Sequence, residues 1–95
     1  MKLKGIIWLR KFADKLLWKH NITTDEAEEV FSNSPLYRFI ERGDIDGENL
    51  YSVMGQTEAG RYLIVYFVYK ITGEALIISA RGMTKKEKRL YEKKH

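Results

Sequence analysis

The sequence has no cysteine, a single proline (Pro35) and no long apolar run. Without cysteine there are no disulfides and no thiolate metal sites, so stability has to come from packing, and the composition fits a reducing, cytoplasmic setting. No stretch approaches the roughly 18 to 20 apolar residues of a membrane-spanning helix, which predicts a soluble chain with no membrane association. The apolar run from Ile6 to Leu9 is too short for a signal-peptide core, and Arg10 and Lys11 follow it in place of a small-residue cleavage site. Histidine is scarce as well. His20 and His95 stand far apart in sequence, so no metal site and no cofactor is expected. Gly55 and Gly60 bracket a turn and lack the loop-to-helix setting of a phosphate-binding P-loop. Ser79 lies inside an apolar run with nothing pointing to a paired base, which predicts a buried hydroxyl rather than a nucleophile.

What is present fits one domain spanning residues 1–95, with 44% hydrophobic and 13% aromatic residues to build its core. The net charge is +4 and it is unevenly spread. Lys2, Lys4, Arg10, Lys11, Lys15 and Lys19 face only Asp14 in the first twenty residues. Lys85, Lys86, Lys88, Arg89, Lys93 and Lys94 outnumber Glu87 and Glu92 in the last segment. If the fold joins these two basic ends, they form a positive face suited to a phosphate backbone. A solvated, solubilising helix surface is the competing reading.

The periodicity predicts an α+β fold. Leu9, Phe12, Ala13, Leu16 and Leu17 recur at the spacing of one helix face, and Asn21 closes that helix. A second helix opens at Thr23, which with Glu26 has the capping-box spacing; Ala27, Val30 and Phe31 make its buried stripe, and Pro35 ends it. Four extended runs follow (36–42, 49–56, 61–70 and 74–81), joined by short turns into an antiparallel meander. Ile6, Ile7 and Trp8 either add a short edge strand or extend the first helix. Thr84 and Glu87 repeat the capping-box spacing before a basic C-terminal helix whose thin apolar face is Leu90 and Tyr91, with Met83.

The candidate chemistry is cationic. Arg61 opens the third run and Arg81 closes the fourth, so a hairpin puts them near one end of the sheet, where two guanidinium groups can clamp a phosphate and oppose charge building on it. RNA carries its own nucleophile, the 2′-OH, so cleavage needs a base, an acid and charge stabilisation. Lys19 and His20 at the end of the first helix offer a cation and the side-chain type that changes protonation near neutrality, although both also suit a helix C-terminus. Lys15, Lys85, Arg89 and Tyr91 are candidate RNA contacts through charge and stacking, with Tyr91 also suited to the core.

Several of these residues together resemble a known family. Trp18, Lys19 and His20, followed by Asp25 to Phe31, are similar to the Lys-His and Glu-x-Ala-x-x-Val-Phe signature of BrnT-type toxins. Gly60, Arg61 and Leu63, then Ile77 to Arg81, then Glu87, Arg89 and Tyr91 resemble its remaining motifs in order and spacing. The resemblance implies a RelE-like ribonuclease toxin of a type II toxin-antitoxin pair. It also implies neutralisation by a BrnA-type antitoxin with a ribbon-helix-helix domain, the complex reaching operator DNA only through the antitoxin. Where the family commonly carries a His and an Arg, this sequence has Asp44 and Leu50. That departure moves the base role to His20, Asp44 or Glu48, and gives weight to an alternative, a non-catalytic module that binds nucleic acid or antitoxin.

Overall fold

The computed structural model describes residues 1–94; His95 lies outside them. In chain order the elements are β1 (Gly5–Ile7), α1 (Arg10–His20), α2 (Thr24–Ser32), β2 (Leu36–Glu41), β3 (Leu50–Gln56), β4 (Tyr62–Tyr69), β5 (Glu74–Gly82) and α3 (Lys85–Lys94). The expected α+β class, helix pair, meander and C-terminal helix are all present.

The sheet order is β1-β5-β4-β3-β2, antiparallel throughout except that β1 runs parallel to β5. The sheet is therefore mixed and five-stranded, not a four-stranded antiparallel meander alone. The open edge of β5 is the reason. Its apolar start, Ala75 and Leu76, takes Ile6 and Ile7 as register partners, and the Lys4 amide donates to the Gly73 carbonyl at 2.9 Å to begin the ladder.

Strand alternation gives the sheet two different faces. Val53, Leu63, Val65, Phe67, Ala75, Ile77 and Ala80 point toward α1 and α2 and form the main core with Leu16, Ile22, Ala27 and Val30. Phe67 is fully buried and packs at 5.3 Å from the Phe31 ring and 5.9 Å from the Tyr51 ring. Side chains buried to this degree each contribute about 1.5–3 kcal/mol. Gly55 lets α2 approach β3, since a Cβ there would sit 2.8 Å from the Val30 carbonyl oxygen. The opposite face carries the smaller cluster of Met54, Ile64 and Tyr91, flanked by Leu36, Tyr62, Tyr66, Met83 and Leu90, so the thin apolar stripe of α3 docks here as its sequence suggests.

Both capping boxes form. The Thr23 side chain accepts from the Glu26 amide while the Glu26 carboxylate accepts from the Thr23 amide, and Thr84 and Glu87 do the same. The α1 stripe is narrower than its periodicity indicates: Leu16 is buried, whereas Leu9 is 41% and Leu17 51% exposed. The helix touches the sheet mainly at β5 and so covers only the Phe12–Leu16 side of its circumference. The two basic ends do not merge into one face, because α1 packs into the main core and α3 into the smaller cluster on the other side of the sheet.

Candidate active site

Arg81 sits across from Ile64 in the β4–β5 register, and Ile64 belongs to the α3 side. Arg61 lies three residues before Ile64 and points to the other side, where its Nη1 donates to both Glu26 carboxylate oxygens (3.0 and 2.9 Å) and to the Asn21 carbonyl (2.9 Å). The two arginines share an end of the sheet but not a face, so they do not converge on one phosphate. The cause is a bulge. From the turn, Tyr69 pairs with Ala75 and Phe67 with Ile77, but Tyr66 pairs with Ser79, leaving Ile78 extra. An unbulged hairpin would set Arg81 opposite Leu63, on the Arg61 side; the one-residue slip turns it over.

On the α3 side, Arg81 forms a two-pronged pair with Glu87, Nη1 to Oε1 at 2.7 Å and Nη2 to Oε2 at 2.9 Å. Nη2 also donates to the Tyr66 hydroxyl at 3.1 Å, and the guanidinium carbon lies 5.8 Å from the Tyr66 ring centre. The Arg81 hydrogen bonds, opposed by burial and aided by the Thr84 amide, pull the Glu87 carboxyl down to about 2. Glu87 is therefore a carboxylate at neutral pH. It orients Arg81 and Thr84 and carries no proton. The same pairing pushes the Arg81 guanidinium upward.

Register continues this site across the sheet. Arg38, Ser52, Tyr66 and Ser79 are successive cross-strand partners on β2, β3, β4 and β5, a row that shares the Arg81 face and lies beyond the residues α3 packs against. Ser52 is buried, while Arg38 and Ser79 are exposed. Ser79 is thus not the buried hydroxyl its apolar neighbours suggest; the bulge and the end of β1 at Ile7 leave it open. It borders a cleft of about 150 Å³ with Ile78 of β5 and Phe12, Lys15, Leu16 and His20 of α1. Ser79 is thus shared: it borders the His20 and Lys15 cleft and is the register partner of Tyr66.

The other sequence candidates divide. Lys19 is exposed on the last turn of α1, beside His20. Asp44 does not join the site: it lies in the loop before β3, whose first residue pairs with Val68, about 13 Å of strand beyond the Arg81 partner Ile64. Glu48 is not a free base either. It accepts from Lys70 Nζ at 2.7 Å and the Ile71 amide at 3.1 Å, and these contacts, Lys70 first, hold its carboxyl below the ordinary range against burial. Lys85 and Arg89 are exposed, but each stands two residues from Glu87 on α3 and so faces away from Arg81. Tyr91 is buried, with its hydroxyl donating to the Ser34 carbonyl at 2.8 Å, and is core rather than a stacking surface. Tyr66 escaped sequence reasoning because it sits in a nearly continuous apolar run; its signal was the even-numbered spacing of Tyr62, Ile64 and Tyr66. Among the described residues, no group of three His, Asp or Glu side chains could hold a metal ion.

Residues 8–87 match the family model described as ribonuclease toxin, BrnT, of type II toxin-antitoxin system. The chain belongs to the BrnT family. The BrnT match takes in α1, α2, the meander, both arginines and the second capping box. No curated protein matches the sequence. Among solved structures, the fold is similar to the crystal structure of the Brucella abortus ribonuclease toxin BrnT, with a TM-score of 0.59, 17% identity, and coverage of 85% of this chain and 97% of that one. Membership in a BrnT-type toxin family brings with it an RNA substrate and an antitoxin partner. No helix among the described residues is long and apolar enough to cross a membrane.

Proposed function

We infer that residues 1–95 act as one domain that cleaves RNA without a metal, through attack of the 2′-OH on the adjacent phosphate. The observation that carries this reading is the Arg81 fork held between Glu87 and Tyr66, with Ser79, two residues before Arg81 on β5, bordering the cleft that holds His20 of α1. A phosphate entering there competes with Glu87 for the fork, and the guanidinium opposes the negative charge that builds on the phosphorane. His20 takes the 2′-OH proton, the 2′-oxygen bonds to phosphorus, and the P–O5′ bond breaks. The 5′-oxygen receives a proton from the Tyr66 hydroxyl or from water. The products are a 2′,3′-cyclic phosphate and a 5′-hydroxyl. Lys15 and Lys19 add positive charge beside the cleft. Arg61 is assigned a structural part, since its Nη1 is engaged by Glu26 and Asn21 on the face away from Arg81.

The partner in this reading is a cytoplasmic BrnA-type antitoxin with a ribbon-helix-helix domain, through which the pair reaches operator DNA. The second reading, a non-catalytic module binding RNA or antitoxin, draws on Glu87 already filling the Arg81 fork and on Asp44 and Leu50. Purified protein incubated with single-stranded RNA in EDTA separates the two. Fragments ending in 2′,3′-cyclic phosphate are expected; intact RNA that is nevertheless bound would establish the second reading.

A further inference from the structure

Trp18 is 79% exposed, the largest exposure among the big apolar side chains, in the last turn of α1. At 3.6 residues per turn it lies roughly opposite Leu16 and Phe12, the side chains that α1 turns to the cleft and core. Lys11, Lys15 and Lys19 fall at about 20°, 60° and 100° round the axis from it, a single row between Trp18 and the cleft that holds His20 and Ser79. No carboxylate lies on that flank of α1. Asp14 is on the other flank of Trp18, with Arg10 beside it at 3.8 Å. Lys11 also rests over the Phe12 ring at 5.1 Å, which points it along the row.

An exposed indole with lysines along one flank and Asp14 on the other makes a poor seat for an apolar protein partner, because Lys11, Asp14, Lys15 and Lys19 interrupt the apolar surface round it. It suits a nucleobase, which needs one flat face to stack on and cations for its phosphates. We propose that the outer face of α1 is a stacking platform for single-stranded RNA, Trp18 holding a base while Lys11, Lys15 and Lys19 guide the phosphates toward the cleft at His20 and Ser79. This rests on the ribonuclease reading for its substrate and adds the place where the strand is gripped outside the reacting centre. Neither capping box nor the Arg81 site takes part in it.

The test is a titration of the full chain with a twelve-residue oligouridylate at low and moderate salt, reading tryptophan fluorescence and binding together. Wild type should show quenching on binding. Trp18→Leu should bind roughly tenfold more weakly with an unchanged salt slope, and Trp18→Phe should keep most of the affinity. Lys11→Ala and Lys19→Ala should each lower the salt slope by about 0.7. Because Trp18 is exposed, circular dichroism of Trp18→Leu should match wild type. Wild-type affinity and cleavage by Trp18→Leu would overturn the proposal and leave the ribonuclease reading standing. Quenching lost in Trp18→Leu, in a protein that never cleaves, would keep the platform and remove the ribonuclease. An α1 face that binds a protein partner while RNA affinity ignores Trp18 would also overturn it.

Discussion

Helices α2 and α3 begin with the same device, a threonine and a glutamate three residues later, and in each case an arginine at or just before a strand clasps the glutamate. The side chains are about equally exposed, 38% and 23% for Arg61 and Glu26 against 36% and 22% for Arg81 and Glu87. What differs is geometry and company. Arg61 uses one nitrogen for both carboxylate oxygens and spends the rest of it on the Asn21 carbonyl, tying the α1–α2 junction to the start of β4. Arg81 meets Glu87 with two nitrogens and shares one of them with the Tyr66 hydroxyl, beside an exposed row of the sheet. The same motif joins two helices to the sheet on one face and stands beside a tyrosine hydroxyl on the other.

The largest expected difference lies in cleavage. Arg81→Ala should slow RNA cleavage by about a hundredfold or more in single-turnover assays, with Arg81→Lys giving little rescue because the fork is lost. Arg61→Ala should cleave within a few-fold of wild type per folded molecule; equal losses in both variants would break the division of labour drawn between them. Next comes stability. Removing Arg61 should cost about 1 kcal/mol, a fall in Tm of about 4–8 °C for a chain of this size, measured by thermal melting. No change in Tm would show that the junction does not depend on this clasp.

The smallest effect concerns acid. Glu87 is pulled from an ordinary 4.5 to about 2, so the folded state binds its proton more weakly than the unfolded chain. Its contribution is complete above about pH 4.5 and disappears as pH falls through about 2. Glu26 is lowered too, chiefly by the Thr23 amide and then by Arg61, with burial opposing. Glu87→Gln should therefore flatten the decline of Tm between pH 4.5 and 2 more than Glu26→Gln does. A steeper slope in Glu87→Gln would mean that Arg81 holds Glu87 less firmly than its two short bonds indicate.

Much of this fold was legible because its signals are local. Thr23 with Glu26, Thr84 with Glu87, and Asn21 as the left-handed close of α1 (φ 52°) each act within a few residues, and all three form. The nearly continuous apolar runs of β4 and β5 suit central strands, and Leu63, Val65, Phe67, Ala75 and Ile77 lie in the core. The site was less legible. Arg81 was found through its charge, but Tyr66 was hidden among apolar neighbours and Ser79 was read as buried. Arg61 was placed there by the hairpin and Asp44 by its position where the family commonly has a His, while side-chain direction and strand length separate them from Arg81. Trp18 entered only as part of the Trp18-Lys19-His20 signature; the packing of α1 against β5 shows that its ring is left outside.

By itself the sequence determined the helices, the meander, the capping boxes and the basic character of both ends, since each depends on neighbours along the chain. Only the tertiary structure decided which arginine belongs to the exposed face. That choice turns on one extra residue, Ile78, in the β4–β5 ladder. Side chains alternate with a period of two, so a single-residue slip carries Arg81 from the Arg61 side to the Tyr66 side. The slip is set by pairing between strands: it lets Ile77 and Ala80 both reach the core, and no local rule of composition records it.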